Sequence, residues 1–160
     1  MRRGAPSGLT VSDAWIQLIP TEPSYVPDEH AVRRLLELVP DLAPGAERVD
    51  VIDEGKVVFV DAGENFESAN CNLCGAIVDL GWWADQVTSA DTGGFEDLSI
   101  AMPCCGAVTS LNDLHYDWPQ GFARWRLEIM NAKVGTLPPE VETALAVALG
   151  HPARVIYTHV

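Results

Sequence analysis

The stretch Phe122-Ala123-Arg124-Trp125-Arg126-Leu127-Glu128-Ile129-Met130 decides the fold. Ala123, Trp125, Leu127 and Ile129 alternate with Arg124, Arg126 and Glu128, the period of a strand with one buried face and one wet face. Such strands belong to antiparallel or mixed sheets, because strands buried on both faces read as continuous apolar runs. Downstream, Pro138-Pro139 opens a helix with Val141, Ala144, Leu145, Ala148 and Leu149 on one side, closed by Gly150. Val155 to Val160 then reads as a last strand.

Upstream, Ala14 to Ile19 reads as a strand stopped by Pro20. Pro27 suits the first position of a helix, with Asp28 and Glu29 at its positive end. Val32, Leu35, Leu36 and Val39 form its apolar stripe, and Pro40 is expected to end it. Val49 to Ile52 and Val57 to Val60 predict a hairpin around Asp53-Glu54-Gly55-Lys56, with Gly55 free to take a positive φ. Asp79 can cap a short helix carrying Trp82, Trp83, Val87 and Ala90, broken by Gly93-Gly94. Leu98 to Met102 returns as a strand. The order predicts a single α+β domain over residues 13–160, with a mixed or antiparallel sheet, about three helices and a zinc-ribbon-like insertion at 66–106. Residues 1–12 read as a flexible N-terminal tail.

The 160 residues carry a formal charge of −13, with 48% hydrophobic and 21% charged residues. A length of this order suits one core. The acidic balance makes nucleic acid a poor partner, because no basic face can release counterions from phosphates. Lys occurs at positions 56 and 133 alone, which argues against a basic membrane-binding patch. The uncharged run Leu98 to Asn112 is too short and too polar to span a bilayer. Arg2-Arg3 is followed by no apolar core of signal length, so the expected location is cytoplasmic. In that reducing compartment the four cysteines read as thiols or metal ligands rather than disulfides.

Cys71-Asn72-Leu73-Cys74-Gly75 has the C-x-x-C-G form of a zinc knuckle, in which glycine permits the turn that aims backbone N–H groups at the thiolates. Its partner is Met102-Pro103-Cys104-Cys105-Gly106. Aligning Cys105-Gly106 with Cys74-Gly75 places Met102 where a first cysteine would stand, so adjacent Cys104 must supply the fourth sulfur of a four-cysteine site. Neighbours in a strand face opposite ways, so a bend or bulge is expected at Cys104-Cys105. The alternatives are a three-cysteine site completed by His115 or water, an iron–sulfur centre, or metal-free redox thiols.

After the second knuckle come Ser110-Leu111-Asn112-Asp113-Leu114-His115-Tyr116-Asp117-Trp118-Pro119-Gln120-Gly121-Phe122. With Trp15 to Pro20, the two cysteine motifs and Trp82-Trp83, this segment resembles a family of small bacterial proteins generally left as hypothetical. The likeness covers most of the chain beyond residue 13 and supports the metal and the single domain. It implies no activity.

Read chemically, the segment offers His115 as a base oriented by Asp113 or Asp117. Read structurally, Asn112 and Asp113 bond their own backbone while Tyr116 and Trp118 cover the core edge. Ser110 lacks the glycine-flanked elbow of hydrolases. One of Trp82 and Trp83 is expected in the core and the other half exposed; Arg124, Arg126 and Glu128 should form exposed cross-strand pairs. His30, His151 and His159 look structural or solvated. Asp61, Glu64, Glu67, Asp91, Glu96 and Asp97 form an acidic surface that is solvated or receives a basic protein. The expected function is that of a protein-interaction or regulatory module with structural zinc held by Cys71, Cys74, Cys104 and Cys105. The alternative is a hydrolase-like zinc enzyme with an open three-cysteine site near His115 and Asp117.

Overall fold

The computed structural model describes residues 13–160; the tail expected over 1–12 lies outside the described residues. The chain runs β1 (Ala14–Pro20), α1 (Glu29–Leu42), β2 (Arg48–Val60), β3 (Ser68–Asn70), α2 (Leu80–Thr92), β4 (Ser99–Ala101) and β5 (Val108–Ser110). A 3-10 turn (Leu111–Asp113) leads to β6 (His115–Asp117), β7 (Gly121–Met130), α3 (Pro139–Leu149) and β8 (Ala153–His159). The alternating stretch is β7, and it lies inside a four-stranded antiparallel sheet of order β2-β7-β1-β8. The α+β class is therefore as expected, and the main sheet is antiparallel. Among the described residues, no helix is long and apolar enough to cross a membrane.

One face of this sheet carries Ile16 and Leu18 of β1, Trp125, Leu127 and Ile129 of β7, and Val155 of β8. Helices α1 and α3 cover it with Leu35, Val39, Leu145, Ala148 and Leu149. Asp28 caps α1 by accepting from the Ala31 N–H at 2.9 Å. The buried stripe of α1 is Ala31, Leu35 and Val39, whereas Leu36 is 41% exposed, so the helix is rotated from the expected face. Pro40 does not end α1, because the Ala43 N–H still reaches the Val39 carbonyl at 2.8 Å and closes the last turn. Arg34 Nε donates to the Ala148 carbonyl at 2.9 Å and ties α1 to α3. In α3, Ala144 points to solvent and the other expected inward residues are buried or half-buried. Gly150 ends it with φ 78°, a left-handed position that glycine takes without steric cost.

The expected hairpin at 49–60 is instead one bulged strand. Both runs of β2 pair with β7, from Arg48↔Met130 to Val60↔Gly121, with the register shifting between Asp53 and Val58. The ten residues of β7 are long enough to serve both runs. Its wet-face arginines also hold the bulge. Arg124 takes Asp53 at 2.7 and 3.0 Å, and Arg126 takes Glu54 at 2.8 Å beside Glu128 at 2.8 Å.

Residues 61–120 leave the sheet after β2 and return at β7. They build a second core from Ala69, Cys71, Val78, Trp83, Phe95, Ile100, Met102, Leu111 and Leu114, closed by Phe122. Phe122, at the start of β7, belongs to this core, whereas Trp125, Leu127 and Ile129 further along the strand belong to the one under the helices. Two small antiparallel pairs, β3-β6 and β4-β5, carry its backbone. At the seam, Asn112 Nδ2 donates to the Thr21 carbonyl at 2.8 Å, and Asn112 Oδ1 accepts from the Phe122 N–H at 2.9 Å. Gly121 lets the two sides approach closely, since a Cβ there would stand 2.5 Å from Arg154 Nη1 and 2.9 Å from Ile19 Cδ1 and would push those side chains aside.

Candidate metal centre

The first cysteine turn closes when the Gly75 N–H reaches the Cys71 carbonyl at 2.9 Å and the Cys71 N–H reaches the Ala76 carbonyl at 2.8 Å. The second repeats it: the Gly106 N–H reaches the Met102 carbonyl at 2.8 Å and the Met102 N–H reaches the Ala107 carbonyl at 2.9 Å. Gly75 and Gly106 take φ 80° and 73°, so both turns need glycine. Met102 thus stands in the second turn where Cys71 stands in the first, as the alignment of the two motifs predicts, and Cys104 takes the place of Leu73. The bend needed at Cys104-Cys105 is this knuckle turn. Inside a tight turn adjacent side chains escape the alternation of a strand, so both can face one point.

The four Sγ atoms lie within 4.8 Å of one another, with Cys74 and Cys104 at 3.3 Å. Four thiolates at about 2.3 Å from one zinc ion define a tetrahedron with edges of about 3.8 Å, a spacing inside that range. Asn72 Oδ1 accepts from Thr109 Oγ1 at 2.9 Å and joins the first turn to the strand that follows the second. Asn70 Nδ2 donates to the Gly75 carbonyl at 3.0 Å and braces the first turn from β3. Cys71 is buried in the second core, while Cys74, Cys104 and Cys105 are exposed. The group can hold a metal ion.

Backbone N–H groups of Cys74 and Leu73 point at the Cys71 sulfur and bring its thiol down to about 7. Leu73 N lies 3.4 Å from that sulfur. The contact with Cys74, then burial, pushes the Cys104 thiol up to about 12. Of these two thiols, Cys71 is therefore the one that gives up its proton first. A divalent cation held there would supply positive charge to offset ionised thiolates.

The rest of the expected site disperses. His115 pairs with Asn70 and Asp117 with Ser68 across β3-β6, and both side chains are exposed. Among the described residues no hydrogen bond joins His115 to Asp113 or Asp117, and His115 is not among the clustered ligand atoms. Ser110 Oγ accepts from the Asn112 N–H at 3.1 Å and caps the 3-10 turn. Asn112 departs from expectation in bonding distant Thr21 and Phe122 through its side chain, because it is buried at the seam rather than at a loop tip. Trp83 is buried and Trp82 half-buried, as expected. His151 stacks on Tyr25 with ring centroids 4.1 Å apart, and His159 Nδ1 lies 3.3 Å from Glu64.

Sequence reasoning missed the link between the tryptophan helix and the polar segment. Trp83 Nε1 donates to Tyr116 Oη at 3.0 Å, and Tyr116 Oη donates to the Leu111 carbonyl at 2.6 Å. Burial pushes the Tyr116 phenol up to about 12. The available signal was the alternation within His115-Tyr116-Asp117, which turns Tyr116 inward when its neighbours face water. No family model, no curated protein and no solved structure matches the chain.

Proposed function

We propose that Cys71, Cys74, Cys104 and Cys105 hold one zinc ion in a closed four-cysteine site, and that the protein is a cytoplasmic protein-interaction or regulatory module of bacterial origin. The observation that carries this reading is the repeated turn, which brings four sulfurs together within 4.8 Å. Two such turns from distant parts of the chain are the economical way to surround a tetrahedral ion, and four thiolates favour zinc among common metals. A closed site leaves no position for water or substrate, so its role is structural. Apparent binding free energies of about 10–16 kcal/mol for structural zinc match the whole stability of a domain, about 5–15 kcal/mol. Cys104 lies 3.3 Å from Cys74, which favours the closed site over an open one with His115.

The test is elemental analysis of the purified chain with cobalt substitution. One equivalent of zinc and the visible bands of tetrahedral cobalt thiolate are expected, and Cys104→Ser should lose most of the metal. Unchanged metal content in Cys104→Ser would make the open, enzyme-like site the better reading.

A further inference from the structure

The residues that follow the two cysteine turns occupy equivalent positions, and both are aliphatic and exposed. Ile77 is 81% and Val108 69% accessible, and Leu73 within the first turn is 52% accessible. Nothing among the described residues covers them. Each sits on or beside a hydrogen-bonded turn, so a partner would lose little freedom by ordering them.

The segment that bears them, residues 61–120, is one-sided in charge. Residues 61–120 contain ten of the 23 Asp and Glu residues and none of the ten Lys and Arg residues. Residues 1–60 and 121–160 hold every one of those cations. Asp79 and Asp113, exposed residues close in sequence to Ile77 and Val108, belong to this acidic set. Zinc bound by four thiolates would add about −2.

We propose that the paired turns dock a basic protein segment whose apolar side chains cover Leu73, Ile77 and Val108 while its Lys or Arg residues meet carboxylates of the same acidic segment, Asp79 among them. The inference rests on the closed-site reading, because the metal is what would hold both turns in one surface. Charge complementarity selects the occupant. A second copy would bring the same negative half against this one, and nucleic acid would bring phosphates, so both are repelled. A basic segment is drawn in, and burial of three aliphatic side chains then discriminates among basic segments.

The experiment uses the full chain loaded with zinc and two synthetic peptides. One is rich in Lys and Arg with Leu and Phe at its centre; the other replaces those apolar residues with Ser. Calorimetry should find the apolar peptide bound about tenfold more tightly or better, and weakened by added salt. The double variant Ile77→Ser/Val108→Ser should reduce its affinity to that of the serine peptide, with zinc content and secondary structure unchanged. Equal binding of both peptides, undiminished binding by the double variant, or no binding of either overturns the proposal. A chain that takes up no zinc fails at the metal measurement, before any peptide is added, and that failure belongs to the earlier reading.

Discussion

The two larger cores share strand β7 and are held together by different means. The first is aliphatic: Leu, Ile and Val from α1, α3 and one face of the long antiparallel sheet pack around Trp125. Its backbone hydrogen bonds run in continuous ladders along β1, β2, β7 and β8. The second is aromatic and has only three-residue strands. Trp83 stands 5.1 Å from Phe66 and 5.9 Å from Phe59 and Tyr116 between ring centroids, and Phe122 stands 4.9 Å from Phe59. Short strands close few ladder bonds per ordered residue, so this region relies more on side-chain links such as Trp83 to Tyr116. A region of about sixty residues with so little regular structure is the kind that metal or disulfide cross-links commonly stabilise.

The sharpest way to break the contrast is to strip the metal that the cysteines are proposed to hold. Chelation should abolish hydrogen-exchange protection in β3 to β6 while β1, β7 and β8 stay protected. Simultaneous loss in both regions would show one cooperative unit and erase the distinction. Next in size, Leu127→Ala opens a cavity in the aliphatic core and should cost about 2–5 kcal/mol. Denaturant melting would read that loss as global, with the metal region lost in the same transition because its seam with the sheet goes too.

Tyr116→Phe removes the hydroxyl between Trp83 and Leu111 and leaves both partners buried and unmatched, at about 1–3 kcal/mol. The loss should appear as faster exchange around α2 and the 3-10 turn, with the helices of the first core unaffected. The smallest effect is spectroscopic. Burial holds the Tyr116 phenol protonated up to about 12, whereas an exposed tyrosine ionises near about 10. Its raised value contributes stability that is complete below about 10 and is lost as pH rises through about 12. Burial also raises Tyr157, which donates to Glu142 at 2.7 Å in the first core. Ultraviolet titration before and after chelation should therefore move Tyr116 back toward its ordinary value and leave Tyr157 late.

Legibility in the sequence follows the same division. The strand at 122–130, the capped helix after Asp79 and the helix before Gly150 were readable because period, caps and glycine act within a few residues. Met102 as the stand-in for Cys71 was also readable, because a knuckle turn is local. The bulge in β2 was not. Asp-Glu-Gly-Lys is a sound turn taken alone, and only the competing partner β7, seventy residues away, decides against it. The rotation of α1 failed to show for a related reason: Leu36 and Ala31 trade places according to where α3 lies, and the stripe alone cannot say.

Local spacing by itself established β1, β7, α2, α3 and the two cysteine turns, since each depends on neighbours within one or two turns of backbone, and composition alone established the acidic character of the chain. Tertiary structure alone decided that the four sulfurs meet, that Tyr116 joins Trp83 to Leu111, and that Asn112 spans the seam. Those contacts join residues far apart in the chain, and the cost of closing such loops is met only when both cores pack together.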